Sequence, residues 1–251
     1  MTSPFIIWTM RRTGGTSFAN ILENITEYKI QHEPFNWDRI FGFIAKNFQN
    51  DLLNYDDLQA DLQQHCIDKR VCIKHCYEVS GEVLNEALID VFAQNNYKHI
   101  FLLRRDEFSR LLSLYTAIHT DVWGKHGSEG IYAQYLKGEK KLPEYDIADM
   151  KKHLQLCHKK TNVLKQKMRD RNLKFLNIYY EDLYAGSFEE RQQFLRKICD
   201  YLEVPKQTFN DKTESYKYQL MKAKQKSNAL YDLIPNLKAI EASLATDTAP
   251  V

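Results

Sequence analysis

Five short stretches read as strands, the apolar run Phe5 to Thr9, then Tyr28 to Gln31, Val71 to Lys74, His99 to Leu103 and Phe175 to Tyr179, and they are separated by segments with helical periodicity. Phe18, Ile21, Leu22 and Ile25 recur at helical spacing after the first run, and Val83, Leu84, Ala87, Leu88 and Val91 after the third. Further helices are predicted over roughly 37–48, 55–66, Glu107 to about Ile118, 144–170 and 187–202, the last stopping before Pro205. Parallel strands need a crossover between them, and helices supply it. The alternation therefore predicts an α/β fold with a central parallel sheet flanked by helices on both faces. Such sheets bind ligands at the carboxyl ends of their strands.

The chain has 251 residues, enough for a single domain with its own core, and the expectation is one domain over 1–251 with a disordered tail beyond about Glu241. With 35 Lys plus Arg against 33 Asp plus Glu, the net charge of +2 gives no global reason to expect a nucleic-acid partner. Five cysteines, an odd number with no Cys-x-x-Cys, argue against a disulfide framework or a zinc site. His65, His99, His119, His126, His153 and His158 likewise show no metal-ligand spacing. No apolar stretch is long enough to span a bilayer, and the first residues lack a signal-peptide pattern, so a soluble, cytoplasmic protein is expected. Ile147, Met150, Leu154, Cys157, Thr161, Leu164 and Met168 alternate by three and four over about three heptads, which fits a core-facing stripe or the seam of a homodimer.

Two strand ends carry candidate anion sites. After the first run comes Arg11-Arg12-Thr13-Gly14-Gly15-Thr16-Ser17. The glycines let the backbone curl, the amides at the following helix start concentrate partial positive charge, and Thr16, Ser17 and Arg12 add donors. The loop suits a phosphate. It is neither a Walker A motif nor G-x-G-x-x-G, which disfavours a nucleoside triphosphate or a dinucleotide. After the fourth run, Arg104-Arg105-Asp106 opens a helix on which Ser109 and Ser113 share a face. The guanidinium fork of Arg105 fits a second phosphate. The segment 119–130, with Trp123, Gly124, His126, Gly127 and Gly130, reads as a polar lid or substrate loop.

Together these segments resemble the sulfotransferases that use 3′-phosphoadenosine 5′-phosphosulfate (PAPS). Arg12-Thr13-Gly14-Gly15-Thr16 is similar to their 5′-phosphosulfate loop, with Gly15 where a hydroxyl residue is usual. Arg105, Asp106, Arg110, Ser113 and Tyr115 match their 3′-phosphate element, with Glu107 in place of a proline. Tyr180-Glu181-Asp182-Leu183 resembles their Y-E-D-L, and Phe194 to Pro205 their following helix. The resemblance runs from about residue 5 to 205 in the family's order. It implies a P-loop NTPase-like three-layer sandwich and transfer of a sulfonate from PAPS to a hydroxyl or amine, leaving 3′,5′-adenosine bisphosphate. Arg11 to Ser17 would hold the 5′-phosphosulfate, with Arg12 also stabilising the departing phosphate. Arg105 and Ser113 would hold the 3′-phosphate, and a late basic segment containing Lys222, Lys224 and Lys226 would close over the nucleotide.

In-line displacement at sulfur needs aligned donors and a base for the acceptor proton. Glu33, in His32-Glu33-Pro34, resembles the base of bacterial carbohydrate sulfotransferases, and Pro34 is expected to hold it extended. His75, after Lys74, resembles a K-x-H element with imperfect spacing and is the second candidate base; Lys74 would face the sulfonate or pack as a strand-end lysine. Tyr180-Glu181-Asp182 reads as structural. The acceptor expected from the resemblance is a carbohydrate or glycolipid, though most of the fifteen Tyr and three Trp belong to a core. A nucleotide kinase would need a P-loop lysine and magnesium ligands, neither of which is evident. A non-catalytic nucleotide-binding module is the other alternative.

Overall fold

The computed structural model describes residues 2–49, 54–123, 128–221 and 226–245, apart from the side chains of Ser128, Lys226 and Ser227. Five strands form one sheet: β1 (Phe5–Thr9), β2 (Ile30–His32), β3 (Cys72–Cys76), β4 (Lys98–Leu103) and β5 (Phe175–Tyr179). All pair in parallel, in the order β2-β3-β1-β4-β5. The helices are α1 (Gly15–Ile25), α2 (Gly42–Gln49), α3 (Tyr55–Leu62), α4 (Glu82–Gln94), α5 (Glu107–Thr120), α6 (Ser128–Leu136), α7 (Ile147–Asp170), α8 (Tyr180–Tyr184), α9 (Phe188–Tyr201), α10 (Lys206–Asp211), α11 (Thr213–Met221) and α12 (Leu237–Leu244). A π turn (Gln63–Ile67) follows α3, and a 3-10 turn (Lys226–Leu233) precedes α12.

The chain forms two compact units. The first, Met1–Leu103 with Lys160–Lys222, holds the whole sheet. Strand alternation sorts its side chains by face. Phe5, Ile7 and Cys72 join the α1 residues Phe18, Ile21, Leu22 and Ile25 in one core, together with Tyr180, Leu183, Leu195 and Ile198. On the opposite face Trp8 packs edge-on to His75, with centroids 5.5 Å apart, and stacks on His99 and Phe101. The second unit, Arg104–Lys159 with Ala223–Val251, has its own core of Leu111, Leu112, Leu114, Tyr132, Tyr145, Met150, Leu154 and, from α12, Ile240 and Leu244.

The stripe on α7 is buried from Met150 through Leu154, Cys157, Thr161 and Leu164 to Met168 within a single chain, as its core-facing reading requires. Other expectations change. Order continues past Glu241 because Ile240 and Leu244 anchor α12. The segment 119–130 is not one loop: α5 runs to Thr120 and α6 starts at Ser128, while residues 124–127 lie outside the described residues. The helix expected from 37 starts at Gly42, because residues 33–42 fold into successive turns. Among the described residues, no helix is long and apolar enough to cross a membrane.

Candidate active site

The loop between β1 and α1 is closed from within. Thr13 is buried and its hydroxyl donates to the Met10 carbonyl at 2.6 Å, while also meeting the Thr9 hydroxyl. Arg12 has φ 66° and Gly14 φ 80°, so the chain turns twice through the left-handed region. Only glycine fits at 14. A Cβ there would lie 2.6 and 2.7 Å from two ring carbons of Tyr180. Gly14 starts α1 with no side-chain cap, so the first-turn amides are left for another acceptor. Thr16 is the exposed hydroxyl of the loop, and the Tyr184 ring comes within 3.7 Å of where a Gly14 Cβ would lie. The Arg11 amide and its Nε both donate to Glu78 Oε1, at 2.7 and 3.0 Å, which ties Arg11 to the segment after β3.

Tyr180 and Tyr184 thus buttress the loop. Their rings sit 4.9 Å apart under Gly14. The Y-E-D-L segment packs as structure through its rings; the helix it forms starts with no side-chain cap.

Lys74 and His75 are neighbours in sequence and opposites in space. Lys74 shares the face of Cys72, towards α1, and a Cβ on Gly15 would lie 3.0 Å from Lys74 Cδ and 3.1 Å from Thr9 Cγ2. Its ammonium forms an ion pair with Glu33 Oε1 although the Lys74 side chain is only 4% exposed. Glu33 lies one residue past β2, and its amide donates to the Lys74 carbonyl at 2.7 Å. Its second oxygen accepts from Asn36 Nδ2 at 3.0 Å. Burial works to raise the Glu33 pKa, but the Lys74 charge and hydrogen bonds from Lys74, Cys76 and Asn36 prevail and hold it at about 2. Glu33 is not extended as its proline neighbour suggests: its φ is 49°, and Asn36 N–H closes a turn onto its carbonyl at 3.1 Å. That left-handed turn is what aims the carboxylate back at β3.

His75 points to the Trp8 face, is 2% exposed, and its Nε2 meets Asn85 Oδ1 at 2.7 Å. Burial, against the Asn85 contact, pushes its pKa down to about 4. The site therefore brings Lys74, Glu33 and the Arg12–Ser17 loop together and leaves His75 in the core.

In the second unit, the chain leaves β4 into Arg104-Arg105-Asp106. Asp106 caps α5 by accepting from the Ser109 amide at 2.9 Å. Arg105 is exposed and Ser113 buried. Glu107, the departure from the family's proline, forms an ion pair with the fully buried Arg110 and lies 3.8 Å from His158 Nε2. Burial tends to raise the Glu107 pKa, but hydrogen bonding to His158 and the Arg110 charge bring it down. Tyr115 donates to Asp149 at 2.5 Å. Lys222 and Lys224 lie outside the described residues, as does the Lys226 side chain. Among the described residues, no group of His, Cys, Asp and Glu could hold a metal ion.

Residues 73–221 match the Stf0 sulphotransferase family, a span that starts within β3 and reaches the end of α11. The chain belongs to the Stf0 sulphotransferase family. It is a PAPS-dependent sulfotransferase. The matched span holds Lys74, His75, the Arg105–Tyr115 element and Tyr180–Leu183; the Gly14-Gly15 loop and Glu33 precede it. Among solved structures, mouse sulfotransferase SULT7A1 complexed with PAP is similar at 15% identity and a TM-score of 0.42, over 88% of this chain and 68% of that one. At that level of likeness the assignment rests on the family match. No curated protein sequence matches the sulfotransferase.

The residues present fit the donor. The loop offers uncapped first-turn amides and an exposed hydroxyl, groups suited to a phosphosulfate.

Proposed function

We propose that this sulfotransferase acts on a hydroxyl, or an amine, of a carbohydrate or glycolipid acceptor, with Glu33 as general base. The observation that carries the reading is the Glu33 carboxylate held against Lys74, whose side chain runs along Gly15 at the start of α1. PAPS supplies an activated sulfonate, and the bond from sulfur to the 5′-phosphate breaks as the acceptor atom bonds to sulfur. Glu33 takes the acceptor proton. Arg12, the first amides of α1 and the Thr16 hydroxyl bind the 5′-phosphosulfate and steady the charge that grows on the departing phosphate. Lys74 meets the sulfonate oxygens. Gly14 and Gly15 give the backbone its close approach, Thr13 braces the loop, and Arg11 orients it through Glu78. Arg105 and Ser113 are our candidates for the 3′-phosphate, with Lys226 as a further nucleotide contact. The carbohydrate reading of the acceptor is supported by Trp37, which is 63% exposed four residues after Glu33 and offers a ring on which a sugar can stack.

The test is sulfonate transfer from radiolabelled PAPS to a panel of sugars and glycolipids. E33Q should lower kcat by about 100-fold or more, within the usual range for a general base. H75Q should retain activity within about tenfold, because His75 supports the sheet and touches no reacting atom. The reverse ranking would transfer the role to His75. A preference for 3′,5′-adenosine bisphosphate over ATP and NAD in thermal stabilisation would test the nucleotide site independently.

A further inference from the structure

The geometry points to Lys74 as a cation shared between base and donor: it holds Glu33 in the donor-free enzyme and leaves it for the sulfonate when the donor binds. The inference rests on the reading that Glu33 is the base and that the Arg12–Ser17 loop takes the phosphosulfate. Three features carry it. First, the Lys74 stem is wedged between Gly15 and the sheet. A Cβ at Gly15 would come within 3.0 Å of its Cδ, so the ammonium emerges between the helix start and Glu33. Second, the two backbones cannot separate. β2 and β3 pair His32 with Lys74, and the Glu33 amide is bonded to the Lys74 carbonyl at 2.7 Å. Any exchange of partners is therefore a rotation of the lysine side chain, not a movement of strands. Third, Glu33 keeps its place without Lys74, because Asn36 Nδ2 holds the other carboxylate oxygen at 3.0 Å.

The consequence is a base armed by its co-substrate. While paired, Glu33 is a weak proton acceptor, held at about 2 despite its burial. Its surroundings are Lys74 and the Cys76 thiol on β3, Asn36 in the following turn, His32 before it, and the more distant His75. Lys74 is the one fixed positive charge among them. Once that charge turns to an anionic sulfonate, the carboxylate regains basicity at the moment a proton must be taken. The resting pair also keeps an unprotected base away from a donor that has no acceptor beside it.

The test is a binding cycle on the full chain. Dissociation constants for PAPS, without acceptor, are measured by calorimetry for the wild type, E33Q, K74Q and the double variant. If Lys74 must abandon Glu33, then E33Q tightens PAPS binding by about tenfold, a typical charge-pair coupling, and by clearly less when Gln occupies position 74. Simple repulsion between Glu33 and the donor predicts the opposite order, because K74Q leaves the carboxylate unscreened. An equal or larger gain in the K74Q background overturns the proposal. Should K74Q fail to fold, the contrast moves to the ligands. E33Q should then improve PAPS more than 3′,5′-adenosine bisphosphate, which has no sulfonate, and equal improvement overturns it. If the wild type fails to bind PAPS, the functional reading falls before this one is reached. If PAPS binds and E33Q still transfers, the base assignment fails while the binding cycle still reports on Lys74.

Discussion

Replacing Gly14 with alanine separates the architecture of the donor loop from its chemistry. Gly14 sits at φ 80°, ψ 14°, where an L side chain costs about 1–2 kcal/mol. The added Cβ would also lie 2.6 Å from Tyr180 Cδ2 and 2.7 Å from Cε2, far inside contact distance. The Tyr180 ring has little room to retreat, since it is buried and packed 4.9 Å from Tyr184. Overpacking of this kind costs about 1–3 kcal/mol. The two effects sum to about 2–5 kcal/mol, or a fall in Tm of roughly 5–15 °C for a chain of this size. Scanning calorimetry on G14A, Y180A and the double variant measures both parts. In the Y180A background the clash is gone, so G14A should cost only the backbone share of about 1–2 kcal/mol. G15A is the contrast. Its Cβ would meet Lys74 Cδ at 3.0 Å and the buried Thr9 Cγ2 at 3.1 Å, with no left-handed strain, so stability should fall by about 1–3 kcal/mol while PAPS affinity drops at least tenfold. A G14A protein that melts within about 2 °C of the wild type would show that neither the left-handed turn nor Tyr180 locks the loop, and would refute the reasoning.

The buried histidines set an acid limit. His75 and His99 are each lowered by burial to about 4 from an ordinary value near 6.5, so the folded state holds them neutral and the unfolded chain binds their protons first. Stability is then complete above pH 6.5 and is lost as pH falls towards 4, by about 2 kcal/mol per histidine at pH 5. Urea unfolding at pH 7 and pH 5 measures this, and equal stabilities would contradict it. A second loss is expected below about pH 4.5, where the unfolded chain protonates Glu33 before the folded one does, since its folded value is about 2. Arg110, fully buried and paired with Glu107, should tolerate neither partner's loss: R110M and E107P should each lower stability by about 3 kcal/mol, and the double variant by less than their sum. Additive losses, read from thermal melts, would mean the pair is not coupled.

Much of this architecture is local in the sequence, and that part is legible. Most strands are short apolar runs, and each crossover helix carries its own periodic face, so element type and parallel pairing follow from patterns a few residues wide, while the strand order does not. The edges are less so. Gly130 reads as a loop residue, yet a Cβ there would meet nothing within 4 Å, and α6 simply runs through it. The spacing of Leu237, Ile240 and Leu244 is a helical signal, and α12 is what that signal builds. The supports of the site are another matter. Asn36 carries no motif that marks it as the partner of Glu33, and Tyr184 none that marks it as packing under Gly14, because such partners are chosen by the tertiary path and not by a local pattern.

The choice between two candidate bases shows where local information ends. Lys74 and His75 are adjacent, and period-two alternation requires them to face opposite sides of the sheet. Which of the two meets Glu33 then depends on how β2 is aligned with β3. His32 opposite Lys74 puts the lysine beside the carboxylate and sends the imidazole to Trp8. A slip of one residue would exchange them, placing a neutral histidine next to Glu33 and a lysine among aromatic rings. The buried faces resist that slip. Cys72 belongs with Phe5, Ile7 and the α1 core, whereas His75 fills a site bounded by Trp8, Phe35 and Asn85. The same apolar packing that stabilises the sheet therefore selects which ionisable side chain reaches the base, and the chemistry inherits its cation from the register of two strands.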